Sequence, residues 1–221
     1  KRQIIAWPGL SWAKRMFPDL AEDDAQARLA EAIFMASRVN AEDPVASWKT
    51  HNQTLKEKRE WLNQKDFKEI HFKGPGTDLK VGLADDHEWM GGASMAQNGV
   101  ICNPNIPSEE VFTTPHALRV EGYVSSTKPL SHQGTLIDNI RVVFEKGSIT
   151  DAKASKGETV LKKVLESDEG ARRLGEVALV PNSSPISNSG LLFYNTLFDE
   201  NAACHIACLL YTSDAADDWS S

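Results

Sequence analysis

The sequence has few cysteines, no long apolar run and no excess of positive charge. Its three cysteines, Cys102, Cys204 and Cys208, are odd in number and form no C-x-x-C pair, which fits a reducing compartment better than a disulfide framework. The formal net charge of -7 argues against a nucleic-acid surface as the main role. No apolar run approaches the length of a membrane-spanning helix. The 221 residues, 41% of them hydrophobic, predict a globular chain of one large or two small domains.

Both ends of the sequence are unusual. It begins at Lys1 without an initiator methionine, and the apolar run 4–8 (IIAWP) is expected to end a buried strand whose partners lie upstream. Residues 208–221 begin with CLLYTSDAADD, which resembles the translated reading frame of a sequencing adapter. We therefore expect an internal piece of a longer protein followed by a non-native tail, the alternative being a genuine polar C-terminus.

The first third of the chain predicts two helices. Apolar residues recur at helical spacing between Leu20 and Val39, and acidic residues lie near the start, where the helix dipole favours negative charge. Pro44 suits the first turn of a second helix, which is expected to run to about Gln64. Neither helix carries side chains in a pattern that indicates chemistry, so both are interpreted as scaffold.

From residue 66 the pattern changes to strands. A hairpin is expected around the turn 73–78 (KGPGTD), which lacks the Lys-Ser/Thr ending of a phosphate-binding loop. One short helix over 157–167 and five further strands are predicted, the strands at 118–124, 137–144, 149–154, 174–180 and 191–198. This order indicates a mixed α+β fold. Residues 1–66 are interpreted as the remnant of an N-terminal α/β domain, and 67–207 as a strand-rich, largely antiparallel domain that is incomplete at its C-terminus.

Two adjacent carboxylates, Glu109 and Glu110, lie in the proline-rich run 103–115 (NPNIPSEEVFTTP). Each proline fixes its own φ and restricts the residue before it, so this loop is expected to be stiff. Adjacent carboxylates repel each other, and a metal ion is the strongest compensating charge. The alternative is a surface loop with two solvated glutamates, and the loop taken alone favours that alternative.

Three further side chains are candidate metal ligands. Glu176 interrupts an otherwise apolar strand, Glu200 follows the strand predicted at 191–198, and His205 comes five residues later. Each has a structural alternative: Glu176 as the partner of Arg172 or Arg173, Glu200 as a turn carboxylate, and His205 as a structural histidine. The spacing is not that of an H-E-x-x-H motif. These residues are compatible with an oxygen-rich metal site and with metal-dependent hydrolysis.

The run 103–115 resembles the signature loop of the aminopeptidase T family, the thermophilic-type two-metal aminopeptidases that include aminopeptidase S. The resemblance extends over residues 1–207 and is strongest from His71 onward. The other stretches that resemble the family, in its order, are 71–79 (HFKGPGTDL), 168–181 (DEGARRLGEVALVP), 184–187 (SPIS) and 193–202 (FYNTLFDENA), followed by His205. By this resemblance, residues 67–207 form part of a metallopeptidase catalytic domain.

The resemblance implies a role for each candidate residue. Glu110 matches a ligand that bridges two metal ions, Glu176 and Glu200 match further carboxylate ligands, and His205 matches the first histidine ligand. Glu109 is chosen as general base because it directly precedes the bridging ligand. A later histidine and aspartate of the family, and a tyrosine that follows the first histidine, have no match in this chain. Part of the metal site is therefore expected to be missing, and this chain by itself is expected to be inactive.

The function implied is that of a metal-dependent aminopeptidase, which releases N-terminal residues from peptides through a water activated by two metal ions. The ligand types accept Zn²⁺, Co²⁺ or Mn²⁺. The family also implies a peptide substrate with a free N-terminus and a cytoplasmic homodimer, with no nucleic-acid or membrane partner. Two alternatives stay open: a metal-dependent hydrolase of another amide or ester, and a non-catalytic binding protein on the same scaffold.

Overall fold

The computed structural model of the chain describes residues 3–209. Its helices are α1 (Leu10–Met16), α2 (Glu22–Ala36), α3 (Pro44–Lys65), α4 (Glu158–Leu165), α5 (Pro185–Ser189) and α6 (Thr196–Asp199), with a 3₁₀ turn, η1 (Glu200–Ala202). Its strands are β1 (Glu69–Gly74), β2 (Thr77–Leu83), β3 (Ser94–Met95), β4 (Ile101–Cys102), β5 (Val111–Thr113), β6 (Pro115–Ser125), β7 (Leu130–His132), β8 (Thr135–Ile137), β9 (Arg141–Glu145), β10 (Ser148–Lys153), β11 (Leu174–Leu179) and β12 (His205–Cys208).

The chain divides into two compact units. The first unit runs to residue 64 and continues with 89–111 and 179–205, and the second unit contains 65–88, 112–178 and the residues from 206 onward. The first break lies beside the boundary expected at 66, but 89–111 and 179–205 group with the first unit. The predicted domain division stays a prediction. Of the tail expected at 208–221, residues 210–221 lie outside the described residues.

A hydrophobic core joins α1 and α2 of the first unit to the segment that contains α5, α6 and η1. It contains Leu29 and Ile33 from α2, Ala13 from α1, and Ile186 and Phe198 from the segment 185–202. The helix predicted over 20–39 is confirmed as Glu22–Ala36, and the helix predicted to start at Pro44 is confirmed as Pro44–Lys65. Helix α1 was not predicted from the sequence. Since residues more than 150 positions apart meet in this core, packing of α2 positions the segment that contains Glu200.

The strand predicted at 191–198 is wrong. The backbone of Tyr194 has φ +54°, in the left-handed region, and α6 begins two residues later. The carboxylate of Asp199 accepts hydrogen bonds from the backbone N–H of Phe193 at 2.7 Å and of Asn195 at 2.9 Å. The Asn195 side chain in turn caps the helix by accepting from Leu197 N. The side chains of Asn195 and Asp199 thus accept from nearby backbone N–H groups that a strand would have paired with a neighbouring strand. The chain therefore turns into a helix at this position.

Among the described residues no strand covers 4–8, and because the expected partners lie upstream, the buried strand stays a prediction. Ile4 forms an isolated parallel bridge with Asn105, and Ile5 and Trp7 are exposed. The bridge is held by Ile4 N donating to Pro104 O at 2.7 Å and Ile106 N donating to Ile4 O at 3.0 Å. Ile5 and Trp7 therefore bury little of their surface among the described residues, and the backbone N–H and C=O of Ile4 hold the proline loop instead.

The second unit is built on a five-stranded antiparallel sheet with the order β1-β2-β6-β9-β10. The predicted hairpin at 73–78 is confirmed, with Gly74 paired to Thr77. The strands β9 and β10 overlap the regions predicted at 137–144 and 149–154 and pair with each other through Glu145–Ser148. Helix α4, predicted over 157–167, contacts β8 and β10. A three-stranded sheet with the order β12-β11-β5 is also present. The mixed α+β class with antiparallel strands is confirmed.

Among the described residues, no helix combines the length and the apolar character that a membrane crossing needs. The longest helix among them, α3, buries Leu55 and Leu62 and exposes Trp61. Its surface is otherwise polar, as expected for a helix with one face toward a protein core.

Replacement of Phe198 by alanine is expected to destabilise the first unit strongly. The Phe198 side chain is 0% exposed and stacks on Phe193 with ring centroids 4.7 Å apart, so the substitution leaves a cavity that costs about 3–5 kcal/mol. The matched control is Phe34→Ala in α2, because Phe34 is 45% exposed and alanine favours the helix, so we expect a change of about 1 kcal/mol or less. Urea denaturation of the full-length protein measures both. Equal losses for the two variants would contradict this description of the core.

Candidate metal site

The two adjacent glutamates lie in a loop that is buried. Glu109 is 2% exposed and Glu110 is 8% exposed, just before β5, so the alternative of a solvated surface loop is wrong. Gly91, in the turn 89–92, packs directly on this loop: its φ is +147°, and a Cβ there would lie 2.5 Å from Glu110 O. Burial of a carboxylate without a compensating partner is costly, so each of these two side chains needs one.

The partner of Glu109 is Arg38, which follows α2. Arg38 Nη2 donates to Glu109 Oε2 at 2.8 Å, and Nη1 donates to Oε1, so the guanidinium holds both oxygens of the carboxylate. The Arg38 side chain is itself only 16% exposed. Two parallel charge-assisted hydrogen bonds are among the strongest hydrogen-bonded pairings of a carboxylate in proteins. Glu109 is therefore ionised and held in one orientation.

His51, in α3, lies against the same pair. Its Nε2 lies 2.7 Å from Ser108 O, and its Nδ1 lies 3.2 Å from Arg38 Nη2. A guanidinium can only donate, so Nδ1 accepts and Nε2 carries the proton that it donates to Ser108 O. Burial lowers the pKa of His51, although the nearby Glu109 carboxylate acts in the opposite direction. The imidazole is consequently neutral near pH 7.

Asn201, in η1, holds the backbone of the same loop. Its Oδ1 accepts from Glu109 N at 2.6 Å, and its Nδ2 donates to Leu197 O at 2.9 Å. The carbonyl of Asn201 accepts from the Ser184 hydroxyl at 2.7 Å. These buried hydrogen bonds connect the loop to the segment 184–201, which leads to His205.

Glu110 faces His205. Its Oε2 lies 3.0 Å from His205 Nε2, and both side chains are largely buried. His205 Nδ1 lies 3.1 Å from Ala203 O, so Nδ1 carries the proton and Nε2 presents a lone pair. A histidine that donates one ring N–H to a backbone carbonyl is the usual arrangement of a metal ligand. Two acceptor atoms that face each other at this distance require a proton or a metal ion between them.

The other predicted ligands occupy separate elements. Glu176 is the third residue of β11 and is half-buried, in the second unit. Glu200 begins η1, not the end of a strand, and is also half-buried. Glu110, Glu176 and His205 each offer one ligand atom for a metal ion. Within the first unit, the contact between predicted site residues is that of Glu110 with His205.

Three residues around the loop were not predicted: Arg38, His51 and Asn201. The sequence interpretation assigned no chemistry to the first two helices, yet α3 contains His51 and Arg38 directly follows α2. Nothing in the local sequence pairs them with a loop that lies between 50 and 80 positions further along the chain. Asn201 was quoted within the family-like run 193–202 but was given no role.

A family model of thermophilic metalloproteases (M29) matches residues 2–209. The chain belongs to this family. The resemblance inferred from the sequence is thereby confirmed at family level.

Individual members of the thermophilic metalloprotease family are similar over almost the whole chain. Aminopeptidase T of Thermus thermophilus is 56% identical over 203 residues, which cover 92% of this chain and 49% of the relative. Aminopeptidase 2 of Geobacillus stearothermophilus is 49% identical over 204 residues, with the same shares covered. The solved structure of wild-type AmpT from Thermus thermophilus is similar with a TM-score of 0.87 at 52% identity, covering 93% of this chain and 50% of that one. The chain thus spans about half the length of the curated relatives that it matches.

Acidification is expected to destabilise the fold through His51. Because burial lowers the pKa of His51, the unfolded state binds a proton that the folded state excludes as the pH falls below about 6.5. The free energy of unfolding should therefore decrease below that pH and be independent of His51 above it. Glu109 opposes the shift, whereas Arg38 and Lys58 act with burial. Urea denaturation between pH 8 and pH 5, in the full-length protein and in His51→Gln, measures this contribution. Identical pH dependence in both proteins would contradict it.

Proposed function

We propose that this chain forms part of a metal-dependent aminopeptidase, which releases N-terminal residues from peptides. The observation that carries the proposal is the buried contact of Glu110 Oε2 with His205 Nε2, in which the other nitrogen of the imidazole is oriented by Ala203 O. The names of the relatives, Aminopeptidase T and Aminopeptidase 2, support peptide N-termini as the substrate class. Side-chain preference is not part of the proposal.

Glu110 and His205 are proposed ligands of divalent metal ions, and Glu176 and Glu200 are further proposed ligands by family resemblance. Glu110 Oε2 and His205 Nε2 lie 3.0 Å apart, close enough that both atoms could bind one ion. The set combines carboxylate oxygens with one imidazole and accepts Zn²⁺, Co²⁺ or Mn²⁺. By family resemblance, Glu110 is the bridge to a second ion. Bound divalent ions would supply Lewis-acid chemistry, lowering the pKa of a water molecule toward neutrality and polarising the substrate carbonyl.

Glu109 is the proposed general base. It is ionised, buried and adjacent to Glu110, and Arg38 restricts it to one orientation. Each carboxylate oxygen has two lone pairs, so the two hydrogen bonds from Arg38 leave acceptor positions for a proton. In this role Glu109 takes the proton of the attacking water and returns it to the leaving amine.

We also propose that the full-length protein is a cytoplasmic homodimer. The family resemblance supports this assembly, and the three free cysteines, Cys102, Cys204 and Cys208, fit a reducing compartment. Burial raises the pKa of the Cys208 thiol to about 11, so this cysteine is not a reactive thiolate at neutral pH. Light scattering of the purified full-length protein should give twice the monomer mass, and a monomer would refute the assembly.

Loss of the metal ligand should abolish activity of the full-length protein. Glu110→Gln removes the charge and one ligand oxygen at nearly unchanged volume, so we expect metal affinity and peptide hydrolysis both to fall by at least about 100-fold. The control is Glu60→Gln on the exposed surface of α3, which should leave both unchanged. Metal titration calorimetry and hydrolysis of aminoacyl p-nitroanilides measure the two effects.

The same assay separates the alternatives. An aminopeptidase hydrolyses the free substrates and rejects their N-acetylated counterparts. Preference for the acetylated substrates would favour a different amide hydrolase, and metal binding without hydrolysis would favour a binding protein. Full activity after removal of all metal ions by a chelator would refute a metal-dependent reaction.

Replacement of the proposed base should affect turnover and spare metal binding. Glu109→Gln keeps the shape of the side chain and removes its capacity to take a proton, so kcat should fall by about 10²- to 10⁴-fold. The number of metal ions bound should stay at the wild-type value. Steady-state kinetics and metal analysis of the purified variant test this, and a wild-type kcat would exclude Glu109 as base.

A further inference from the structure

The peptide unit between Ser108 and Glu109, one residue before Glu110, is held at both of its ends. The carbonyl of Ser108 accepts from His51 Nε2 at 2.7 Å, and the N–H of Glu109 donates to Asn201 Oδ1 at 2.6 Å. Ser108 and Glu109 are both buried, so neither bond competes with bulk water. Buried polar groups are expensive to leave unpaired, and the peptide plane between these two residues is consequently fixed.

The side chain that follows this peptide unit is held as well. Both oxygens of Glu109 are bound by Arg38, and His51 Nε2 lies 3.7 Å from Glu109 Oε1. Trp48 supports these partners: its ring lies 5.5 Å below the Arg38 guanidinium and meets His51 edge-on at 5.4 Å. The Trp48 indole N–H donates to Ser37 O at 2.8 Å, which fixes the ring on the end of α2.

The backbone at Arg38 provides a second, independent observation. Helix α2 ends in a motif in which Val39 N donates to Phe34 O and Arg38 N donates to Met35 O. The residue at the position of Arg38 in this motif is left-handed and is usually glycine. Arg38 has φ +58°, a backbone conformation that is strained in a residue with a Cβ. A strained residue of this kind points to a function for its side chain.

We propose that Arg38, His51 and Asn201 form a positioning clamp for the metal site. The clamp fixes the peptide 108–109 and the Glu109 side chain, and thereby directs the next carboxylate, that of Glu110, toward His205. The three residues act through the loop and do not bind the ion themselves. This inference rests on the proposed function, since it concerns the geometry of the proposed ligand Glu110.

Removal of the clamp should weaken metal binding in the folded protein. Partners that orient metal ligands typically contribute about 10- to 100-fold to metal affinity, and we expect a loss of that size in Arg38→Gly. Glycine suits the left-handed backbone, so this variant removes the side chain and relieves the strain at once. His51→Phe, which keeps a ring beside Trp48 and removes the donor to Ser108 O, should cause a loss in the same range.

The experiment uses the full-length protein loaded with Co²⁺. Titration calorimetry gives the affinity, the visible absorption of the bound Co²⁺ reports the ligand geometry, and thermal unfolding without metal reports the fold. Arg38→Lys, which keeps the charge and loses the two-pronged contact, should bind Co²⁺ with intermediate affinity. Leu29→Ala is the control, because it weakens the core of α2 without contact to the loop and should lower the melting temperature with Co²⁺ affinity and spectrum unchanged.

The outcomes are distinguishable. Reduced affinity and an altered Co²⁺ spectrum in Arg38→Gly, with partial recovery in Arg38→Lys, support the clamp. Wild-type affinity and spectrum in Arg38→Gly and in His51→Phe overturn it and leave the proposed function intact. A loss of affinity in Leu29→Ala equal to that in Arg38→Gly also overturns it, because the effect would then follow from stability alone. Wild-type protein that binds no Co²⁺, Zn²⁺ or Mn²⁺ overturns the proposed function, and the clamp with it.

Discussion

Burial of the Glu109 carboxylate requires a partner of opposite charge, and Arg38 supplies it with both of its terminal nitrogens. At 2% exposure, an unpaired carboxylate would lose nearly all of its hydration, and the penalty would exceed the contribution of several core side chains. The pair does not need to be a large net source of stability to matter. Its role is to specify the position of the loop, because the Glu109 carboxylate meets Arg38 in this position.

This requirement explains features of the first unit that otherwise look unfavourable. Arg38 lies two residues after the end of α2, in a left-handed position where glycine is usual, and from this position its guanidinium reaches the loop. The core around Leu29, Ile33 and Phe198 packs α2 against the segment that carries Asn201. The apolar contacts thus stabilise the folded first unit. The polar contacts to Ser108 and Glu109 select one position of the loop among those that apolar packing alone would allow.

Local sequence signals were sufficient for much of the fold. Proline at the start of α3 and the Gly-Pro-Gly turn between β1 and β2 are signals that lie within a few residues, and each prediction from them is confirmed. The segment 191–198 shows the limit of such signals. Its apolar residues suggest a strand, but Asn195 and Asp199 bind nearby backbone N–H groups and turn the chain. Asn and Asp are frequent helix-capping residues, so this pair favours the start of a helix over a strand.

The candidate site could be predicted only in part, for a physical reason. Glu109, Glu110 and His205 carry the donor types that metal chemistry needs, and those types are visible in the sequence. The partners of Glu109 are not visible, because Arg38 is separated from it by 71 positions and the pairing exists only after α2 has packed. The αL conformation of Arg38 has no sequence signature either, since the usual signature of that position is a glycine.

The two adjacent glutamates therefore do not form the repelling pair that their sequence suggests. Consecutive side chains of an extended segment point to opposite sides, and Glu109 reaches Arg38 whereas Glu110 reaches His205. Each carboxylate has a partner of its own, Arg38 for Glu109 and His205 for Glu110, so the two adjacent carboxylates are accommodated separately. Since Glu109 already has a cation in Arg38, it does not need a metal ion. Glu110 instead faces His205 Nε2 at 3.0 Å, a contact that needs a proton or a metal ion between the two atoms. Of the two carboxylates, Glu110 is thus the one placed to bind a metal ion, and the stiffness of the loop keeps these two roles separate.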